Sequence, residues 1–144
     1  MKVEVERLDK GLPLPEYVHP GEDAGIDLYS RENVYLPYQD WALIKTGIKV
    51  AIPKGYGGFI NPRSGMALKH GITVLNADGV IDPGYRGEVG IILINHSIHE
   101  DFEIFPGDRI AQLIVMPTPR IEWKEVESLD KTKRNDGGFG HSGR

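Results

Sequence analysis

The sequence has no cysteine, no long apolar run and no excess of basic residues. The missing cysteine excludes disulfide bonds and thiolate metal ligands and permits a reducing cytoplasm. No segment approaches the roughly 20 apolar residues that a membrane-spanning helix needs. A formal net charge of −4 argues against a general polyanion binder, because proteins that bind nucleic acid are usually basic. We therefore expect a cytoplasmic protein that binds neither membranes nor nucleic acid.

The remaining composition is typical of one folded domain. The chain has 144 residues, of which 40% are apolar and 26% charged. Its 18 glycines and 10 prolines separate short runs of β-type residues, a pattern that predicts an all-β sandwich or barrel. Met1–Arg7 alternates apolar and charged residues, which indicates a strand and not a signal peptide. Only Ser64–His70 predicts a helix, with Ser64 as N-cap and Gly71 as stop.

Two of the predicted strands are apolar without clean alternation. These are Val89–Asn95 and Ile110–Met116, and a strand that is apolar on both sides is covered on both faces. In a chain of this size the second cover can be another subunit, so we expect a homo-oligomer. The other predicted strands are Val34–Leu36, Trp41–Lys45, Ile48–Ile52, Tyr56–Ile60 and Ile72–Asn76.

The segment Asn61–Met66 is a candidate phosphate site. A predicted strand enters a turn here, and a helix begins near Ser64. The first amides of a helix carry a partial positive charge, and Arg63, the Ser64 hydroxyl and Gly65 add a cation, a donor and room for close approach. The alternative is a serine N-cap beside a surface arginine.

The segment Gly79–Glu88 predicts a carboxylate held rigidly at a strand end. Asp82-Pro83-Gly84-Tyr85 fits a type II turn, with proline second and glycine third. A fixed Asp82 carboxylate beside a phosphate can orient and deprotonate a water molecule, and Tyr85 would present a flat ring nearby. The alternative is that Asp82 only bonds the backbone of its own turn.

Two polar residues interrupt apolar segments. Asp27 lies between apolar neighbours, where it can hold a hard cation such as Mg²⁺ directly or through water, or can face solvent from a strand. Gln112 lies inside an apolar strand, and because a buried amide needs partners it either ties the core together or faces a ligand. We expect Asp108 and Arg109 to form a structural turn and ion pair.

The C-terminal residues 131–144 are rich in glycine and polar residues. Four glycines within seven residues raise the entropy that ordering must overcome, while Arg134 and Phe139 supply a cation and a ring. This combination suits a flap that orders on a ligand with a negative charge and a flat face, as a nucleotide has. The alternative is a disordered terminus. The predicted division is a β domain over 1–130 and an arm over 131–144.

Taken in order, these segments resemble the five motifs of the trimeric dUTPases. The resemblance runs from about residue 20 to the C-terminus, through Ala24–Leu28, Pro62–Gly65, Gly79–Glu88, Gly107–Leu113 and the Gly-Gly-Phe-Gly tail. It implies an all-β, distorted jelly-roll (β-clip) barrel with one short helix. It also implies a homotrimer with shared active sites, each closed by a C-terminal arm.

The resemblance further implies hydrolysis of dUTP to dUMP and pyrophosphate with Mg²⁺, which keeps uracil out of DNA and supplies dUMP for dTMP synthesis. Asp82 would activate the water that attacks the α-phosphorus, and Asp27 would lie near the metal through water. Phosphate contacts are implied for Arg63, Ser64, Gly65, Gln112 and, at the γ-phosphate, Arg134.

The resemblance also implies how the nucleoside is recognised. The uracil edge would be read by Asn76 and by the backbone of the following hairpin at Val80 and Ile81. Tyr85 would pack under the deoxyribose and leave no room for a 2′-hydroxyl, and Phe139 would cover the uracil ring.

The tail departs from the family pattern, and two other functions stay open. Asn135 stands where the family usually has glycine, and His141-Ser142 replaces Ser-Thr. One alternative is a dCTP deaminase-like enzyme on the same fold, which would release ammonia from dCTP. The other is a nucleotide-binding regulator, which would bind dUTP tightly without turnover.

Overall fold

The short β-type runs fold into short antiparallel strands. The computed structural model describes residues 1–138, and within them it contains eleven strands and one helix. The strands are β1 Glu4–Arg7, β2 Ile26–Tyr29, β3 Val34–Leu36, β4 Trp41–Lys45, β5 Ile48–Ala51, β6 Tyr56–Asn61, β7 Ile72–Val74, β8 Gly79–Ile81, β9 Gly90–Asn95, β10 Phe102–Ile104 and β11 Arg109–Pro117. The helix, α1, is Ser64–His70.

The strands form four small sheets around one core. Two sheets are pairs, β1–β5 and β3–β10, and the larger two have the orders β2-β11-β6-β8 and β4-β9-β7. All of these pairs are antiparallel. The prediction of an all-β jelly roll with one short helix is confirmed.

The core takes one face of β9. In β9 the side chains of Ile91, Leu93 and Asn95 are buried, while the residues between them are half-buried. This is the period-two pattern of a strand with one fully covered face. We expected β9 to be covered on both faces. Within one chain its core face is fully covered and its other face only partly.

The helix confirms one predicted cap and corrects the other. Gly71 ends α1 in the left-handed conformation, with φ of 67°, as a glycine C-cap should. Ser64 is not the N-cap. The chain leaves β6 in an extended conformation through Arg63, which occupies the N-cap position and makes no side-chain capping bond, so Ser64 is already helical.

Two further local predictions need correction. The predicted strand Ile72–Asn76 ends at Val74, because the next two residues begin the turn into β8. The turn after β8 is closed by a 3.0 Å hydrogen bond from the Tyr85 N–H to the Asp82 carbonyl oxygen, but Gly84 does not have the positive φ that a type II turn requires. The last strand ends at Pro117, and residues 118–138 contain no helix or strand.

Candidate functional site

The predicted hairpin is a turn between β7 and β8, which belong to different sheets, and it forms one wall of a cavity of about 180 Å³ that we call the hairpin cavity. Its lining comes from the hairpin, the loop that follows and the facing strand β9, and it includes the predicted site residues Asn76, Val80, Ile81, Asp82 and Tyr85. One continuous part of the chain therefore brings five predicted residues together.

Strand β8 presents free backbone groups to this cavity. It pairs only with β6, where Ile81 lies opposite Gly58 and Gly79 opposite Ile60, and it stands at the edge of its sheet. An edge strand leaves one row of N–H and C=O groups without a strand partner. Such a row can exchange hydrogen bonds with the edge of a flat heterocycle.

The loop after β8 holds Asp82 at the end of the strand. The turn uses the backbone carbonyl of Asp82 and not its carboxylate, so the side chain is not committed to the turn. Arg86 Nη1 donates to the carbonyl oxygens of Pro83 at 2.8 Å and Tyr85 at 2.7 Å, which braces the loop from outside. The loop is thus fixed by backbone contacts, and its exposed carboxylate stays available.

Three predicted residues, Asp27, Arg63 and Gln112, meet a fourth residue, Arg109, on the other side of β6. We call Asp27, Arg63, Arg109 and Gln112 the charged cluster. Asp27 is 5% exposed, and its carboxylate lies 3.3 Å from Arg63 Nε, 3.2 Å from Arg109 Nη1 and 3.3 Å from Gln112 Nε2. Arg63 Nη1 also donates to the Arg109 carbonyl oxygen at 2.9 Å. Two guanidinium groups and one carboxylate leave a formal charge of +1.

A β-bulge assembles the charged cluster. Gln112 lies opposite Asp27 and Arg109 lies opposite Tyr29, with Ile110 as the extra residue in β11. In a regular strand, residues three apart point to opposite faces, but the bulge shifts the register by one. Arg109 and Gln112 therefore share the face that carries Asp27. The expected pairing of Arg109 with Asp108 is wrong, because the Asp108 carboxylate accepts from the Phe105 N–H instead.

The start of α1 opens toward a wider cavity beside the charged cluster. This cavity, about 430 Å³ in volume, is lined by Arg63 and Gly65 together with residues of α1, β10 and the loop into β11. Ser64 is exposed and its hydroxyl does not cap the helix. A Cβ at Gly65 would meet nothing within 4 Å, so a ligand can approach the backbone there.

The hairpin cavity and the charged cluster are separate within one chain. Gln112 pairs with Asn61 on one side of β6, and Ile81 pairs with Gly58 on the other. The backbones of Gln112 and Asp82 are therefore roughly 10 Å apart across the sheet. They are offset by at least roughly another 10 Å along the strand direction. Among residues 1–138, none lines both cavities.

Comparison with known proteins gives this pair of sites a family. The dUTPase family profile matches residues 13–143. The chain is 50% identical over 143 residues to the deoxyuridine 5′-triphosphate nucleotidohydrolase of Syntrophotalea carbinolica, covering 98% of this chain and 96% of that one. The chain belongs to the dUTPase family.

Solved dUTPase structures have the same fold. The Staphylococcus bacteriophage 80alpha dUTPase, solved with dUpNHpp, is 34% identical with a TM-score of 0.89, and the match covers 99% of both chains. A mutant dUTPase of the S. aureus phage phi11, whose structure concerns the coordination of a structural Mg(II) ion, is 32% identical with a TM-score of 0.82. That match covers 89% of this chain and 98% of the other.

The described residues do not form a direct protein site for a metal ion. Among residues 1–138, no group of three or more His, Asp or Glu side chains is arranged to hold one. Both oxygens of Asp27 face cations or an amide donor at 3.2–3.3 Å, which is a poor setting for a direct bond to a cation. Within one chain, the side chains of residues 1–138 therefore provide no set of direct metal ligands.

The dUTPase tail motif is described only in part. Arg134 is exposed, and its Nε donates to the Gly137 carbonyl oxygen at 2.8 Å. Asn135, which replaces the family's usual glycine, has φ of 44°, a left-handed conformation that asparagine tolerates better than most residues. Phe139 and His141 lie outside the described residues.

Sequence reasoning missed three residues that the structure connects to these sites. Arg109 belongs to the charged cluster, and Glu88 with Arg31 forms an ion pair just behind the loop of Asp82. The charges of Arg31 and Glu88 are 57 positions apart, and nothing local in the sequence links them.

No helix among residues 1–138 is long and apolar enough to cross a membrane.

Proposed function

We propose that this chain hydrolyses dUTP to dUMP and pyrophosphate, with Asp82 as the base. The observation that carries the proposal is the hairpin cavity, in which a free strand edge ends directly at a carboxylate that its own turn does not use. Asp82 takes a proton from water as the water oxygen attacks the α-phosphorus. The bond from the α-phosphorus to the bridging oxygen breaks, and pyrophosphate leaves. A positioned base of this kind contributes on the order of 10²- to 10⁴-fold.

The hairpin selects uracil by the pattern of donors and acceptors. Uracil offers an N–H between two carbonyl groups, whereas cytosine reverses donor and acceptor at two of these positions. The free backbone edge of Val80 and Ile81, with the Asn76 side chain, supplies a fixed pattern that fits uracil. A mismatched base would leave buried groups unpaired, which is strongly unfavourable.

Tyr85 selects the sugar. Its ring lines the hairpin cavity next to Asp82, and it packs under the deoxyribose so that a 2′-hydroxyl has no room. The Tyr85 ring excludes a 2′-hydroxyl only if it cannot move aside. The discrimination between deoxyribose and ribose therefore depends on how firmly the loop holds Tyr85.

The phosphate chain binds at Arg63, Ser64, Gly65 and Gln112. Support comes from the net positive charged cluster, from the Ser64 hydroxyl that no helix cap uses, and from the open backbone at Gly65. Preorganised cations and amides beside the triphosphate stabilise the charge that develops in the transition state.

Mg²⁺ accompanies the nucleotide in this proposal. When bound, it neutralises charge on the phosphate oxygens. The surroundings of Asp27 do not suit a direct bond to the ion, so contact through water is the form of the proposal that the geometry supports.

We propose a homotrimer in which one subunit supplies the hairpin cavity and another supplies the phosphate contacts. The separation of the two sites across β6 supports this, since one chain does not bring Asp82 beside Gln112. Exposed apolar side chains on β4, with Trp41 at 60% and Leu43 at 59% exposed, provide surface that an oligomer can cover.

The arm 131–144 closes the site in the same proposal, with Arg134 at the γ-phosphate and Phe139 over the uracil. Arg134 and Lys133 lie in an exposed segment with no strand or helix. Ending the chain at Lys133 should leave a folded oligomer with strongly reduced dUTP turnover, measured by light scattering and pyrophosphate release. Full activity without residues 134–144 would refute the role of the arm.

The proposed reaction is tested by pyrophosphate release from dUTP, with dCTP, dTTP and UTP in parallel, each with Mg²⁺ and with chelator. We expect selective, metal-dependent release from dUTP. Asp82→Asn should lower turnover by about 10²- to 10⁴-fold and change nucleotide affinity only several-fold. Ammonia from dCTP would indicate a deaminase, and tight dUTP binding without turnover would indicate a regulator.

A further inference from the structure

The loop that carries Tyr85 is anchored from behind by Glu88. Arg31 Nη2 donates to Glu88 Oε2 at 2.8 Å, and Arg31 Nε lies 2.8 Å from Oε1. The Nε–H does not aim along that line, so the directed bond of the pair is the one from Nη2. Oε1 instead accepts from the Gly47 N–H at 2.9 Å. Glu88 thus joins three separate parts of the chain.

The anchor continues into the adjacent backbone. The Val89 N–H donates to the Ile48 carbonyl oxygen at 2.9 Å, and the Thr46 hydroxyl donates to the Val89 carbonyl oxygen at 2.7 Å. The Glu88 side chain is 18% exposed and that of Arg31 30% exposed, so water screens this pair less than it screens a surface pair. The end of the loop is therefore fixed on both its side-chain and its backbone groups.

Tyr85 is tied directly to this anchored residue. Its hydroxyl donates to the Glu88 carbonyl oxygen at 2.9 Å, and the ring folds back over Gly87. Tyr85 is 45% exposed, so burial alone does not hold the ring. Its position depends on the loop and on the carbonyl that receives its hydroxyl.

We propose that Glu88, held by Arg31 and the Gly47 amide, is a positioning residue that sets the discrimination between deoxyribose and ribose. This inference rests on the proposed hydrolysis of dUTP and on Tyr85 as the residue that excludes a 2′-hydroxyl. Glu88 does not line the hairpin cavity and acts only through the Tyr85 hydroxyl. When the Glu88 carboxylate loses its partners, the backbone carbonyl of Glu88 can shift. The Tyr85 ring then follows, and room for a 2′-hydroxyl opens.

The test compares kcat/KM for dUTP and UTP in variants of the full chain. Glu88→Ala should lower the dUTP-to-UTP ratio about tenfold, because one misplaced contact in a specificity site has an effect of that size. Glu88→Gln keeps the size and an acceptor for the Gly47 amide, so it should lower the ratio less. It also serves as the informative variant if Glu88→Ala does not fold. Arg31→Ala should move the ratio in the same direction as Glu88→Ala.

A double-mutant cycle separates this role from a merely structural one. Tyr85→Phe removes the hydroxyl through which Glu88 acts. In that background Glu88→Ala should change the ratio by less than about twofold, since coupled residues are not additive. Full additivity of the two changes in the ratio would overturn the inference.

Glu32→Ala is the matched control. The Glu32 carboxylate also accepts a backbone N–H at 2.9 Å near the same turn, from Lys45, but it makes no hydrogen bond or ion pair to the loop of Tyr85. It has fewer side-chain partners than Glu88, so it should lower the melting temperature by no more than Glu88→Ala does, and it should leave the ratio unchanged. If the parent enzyme is active and selective but the ratio is unchanged in all Glu88 and Arg31 variants, the positioning role of Glu88 is refuted. The proposed hydrolysis of dUTP would still stand. A parent enzyme that releases no pyrophosphate from dUTP would instead refute the proposed function.

Discussion

The hairpin cavity and the charged cluster are built in opposite ways. The cavity takes its predicted site residues from the short stretch 76–85, and its recognition groups are largely neutral backbone amides at a strand edge. The cluster takes residues 27, 63, 109 and 112 from distant parts of the sequence, and ion pairs to one buried carboxylate hold it together. In the proposed function, a rigid shape therefore binds the base, and charge binds the phosphate chain.

This difference predicts different sensitivities. A small change of shape should damage the cavity and leave the fold stable, because its loop is near the surface. A change of charge should damage the cluster and the stability together, because Asp27 is 5% exposed and has three side-chain partners.

Among the changes that compare the two regions, the largest effect should come from Gly87→Ala in the cavity loop. A Cβ at position 87 would overlap the Tyr85 hydroxyl and lie 2.5 Å from Cζ, so the ring must move. Since a displacement of about 1 Å in an active site can cost about 10²-fold, kcat/KM for dUTP should fall by that order. The free energy of unfolding should change little.

Gly84→Ala is the matched control in the same loop. Its Cβ would meet nothing within 4 Å and its φ is not in the left-handed region, so activity should stay within about twofold of the parent. Equal losses in the two variants would mean that the loop tolerates no side chain at all, and the specific contact with Tyr85 would be refuted.

The next effect should come from Asp27→Asn in the charged cluster. The neutral amide leaves Arg63 and Arg109 without their carboxylate, and we expect the free energy of unfolding to fall by about 1–3 kcal/mol. Urea denaturation at one fixed protein concentration measures this, because unfolding of an oligomer depends on concentration. Glu6→Gln, which breaks the exposed pair with Lys49, should cost less than about 1 kcal/mol. A loss no larger at Asp27 than at Glu6 would contradict the difference between the two regions.

The same contrast explains how far the sequence predicts the sites. The cavity follows from local signals, since glycine and proline bound a short hairpin and Asp82 comes at its end. The turn type was wrong because proline at the second position is common in both types I and II, and the φ of Gly84, which the sequence does not fix, excludes type II. Helix ends vary by a residue, which is why Ser64 and Arg63 exchanged the N-cap position.

The charged cluster could be predicted only in part. Asp27 and Gln112 stood out as polar residues among apolar neighbours, and they lie opposite each other. Arg109 was missed because its spacing of three from Gln112 puts it on the other face of any regular strand. The bulge at Ile110 that brings it back depends on pairing with β2, and pairing is not visible in a single sequence.

The smallest effect on stability should come from the loss of one hydrogen bond to an exposed carboxylate outside both regions. The Tyr35 hydroxyl donates to the Asp101 carboxylate, and this bond, with a second from the Tyr38 N–H, lowers the pKa of Asp101 below its ordinary 3.8. The same bond raises the pKa of Tyr35 above 10.0. A lowered carboxylate pKa contributes stability above pH 3.8 that is lost as pH falls through the folded value. A raised tyrosine pKa contributes stability below pH 10 that is lost as pH rises through the folded value.

Tyr35→Phe should therefore lower the melting temperature slightly at neutral pH, and the difference from the parent should shrink in acid as Asp101 becomes protonated. Both residues are exposed, so the effect should be smaller than that of Asp27→Asn, whose carboxylate is enclosed by cations. Thermal unfolding of both proteins between pH 3 and 8 measures it. A difference that persists undiminished at the acid end would show that the ring contacts of Tyr35 matter and the carboxylate does not. The difference in solvent exposure would then not explain why the Tyr35–Asp101 pair contributes less to stability than the charged cluster.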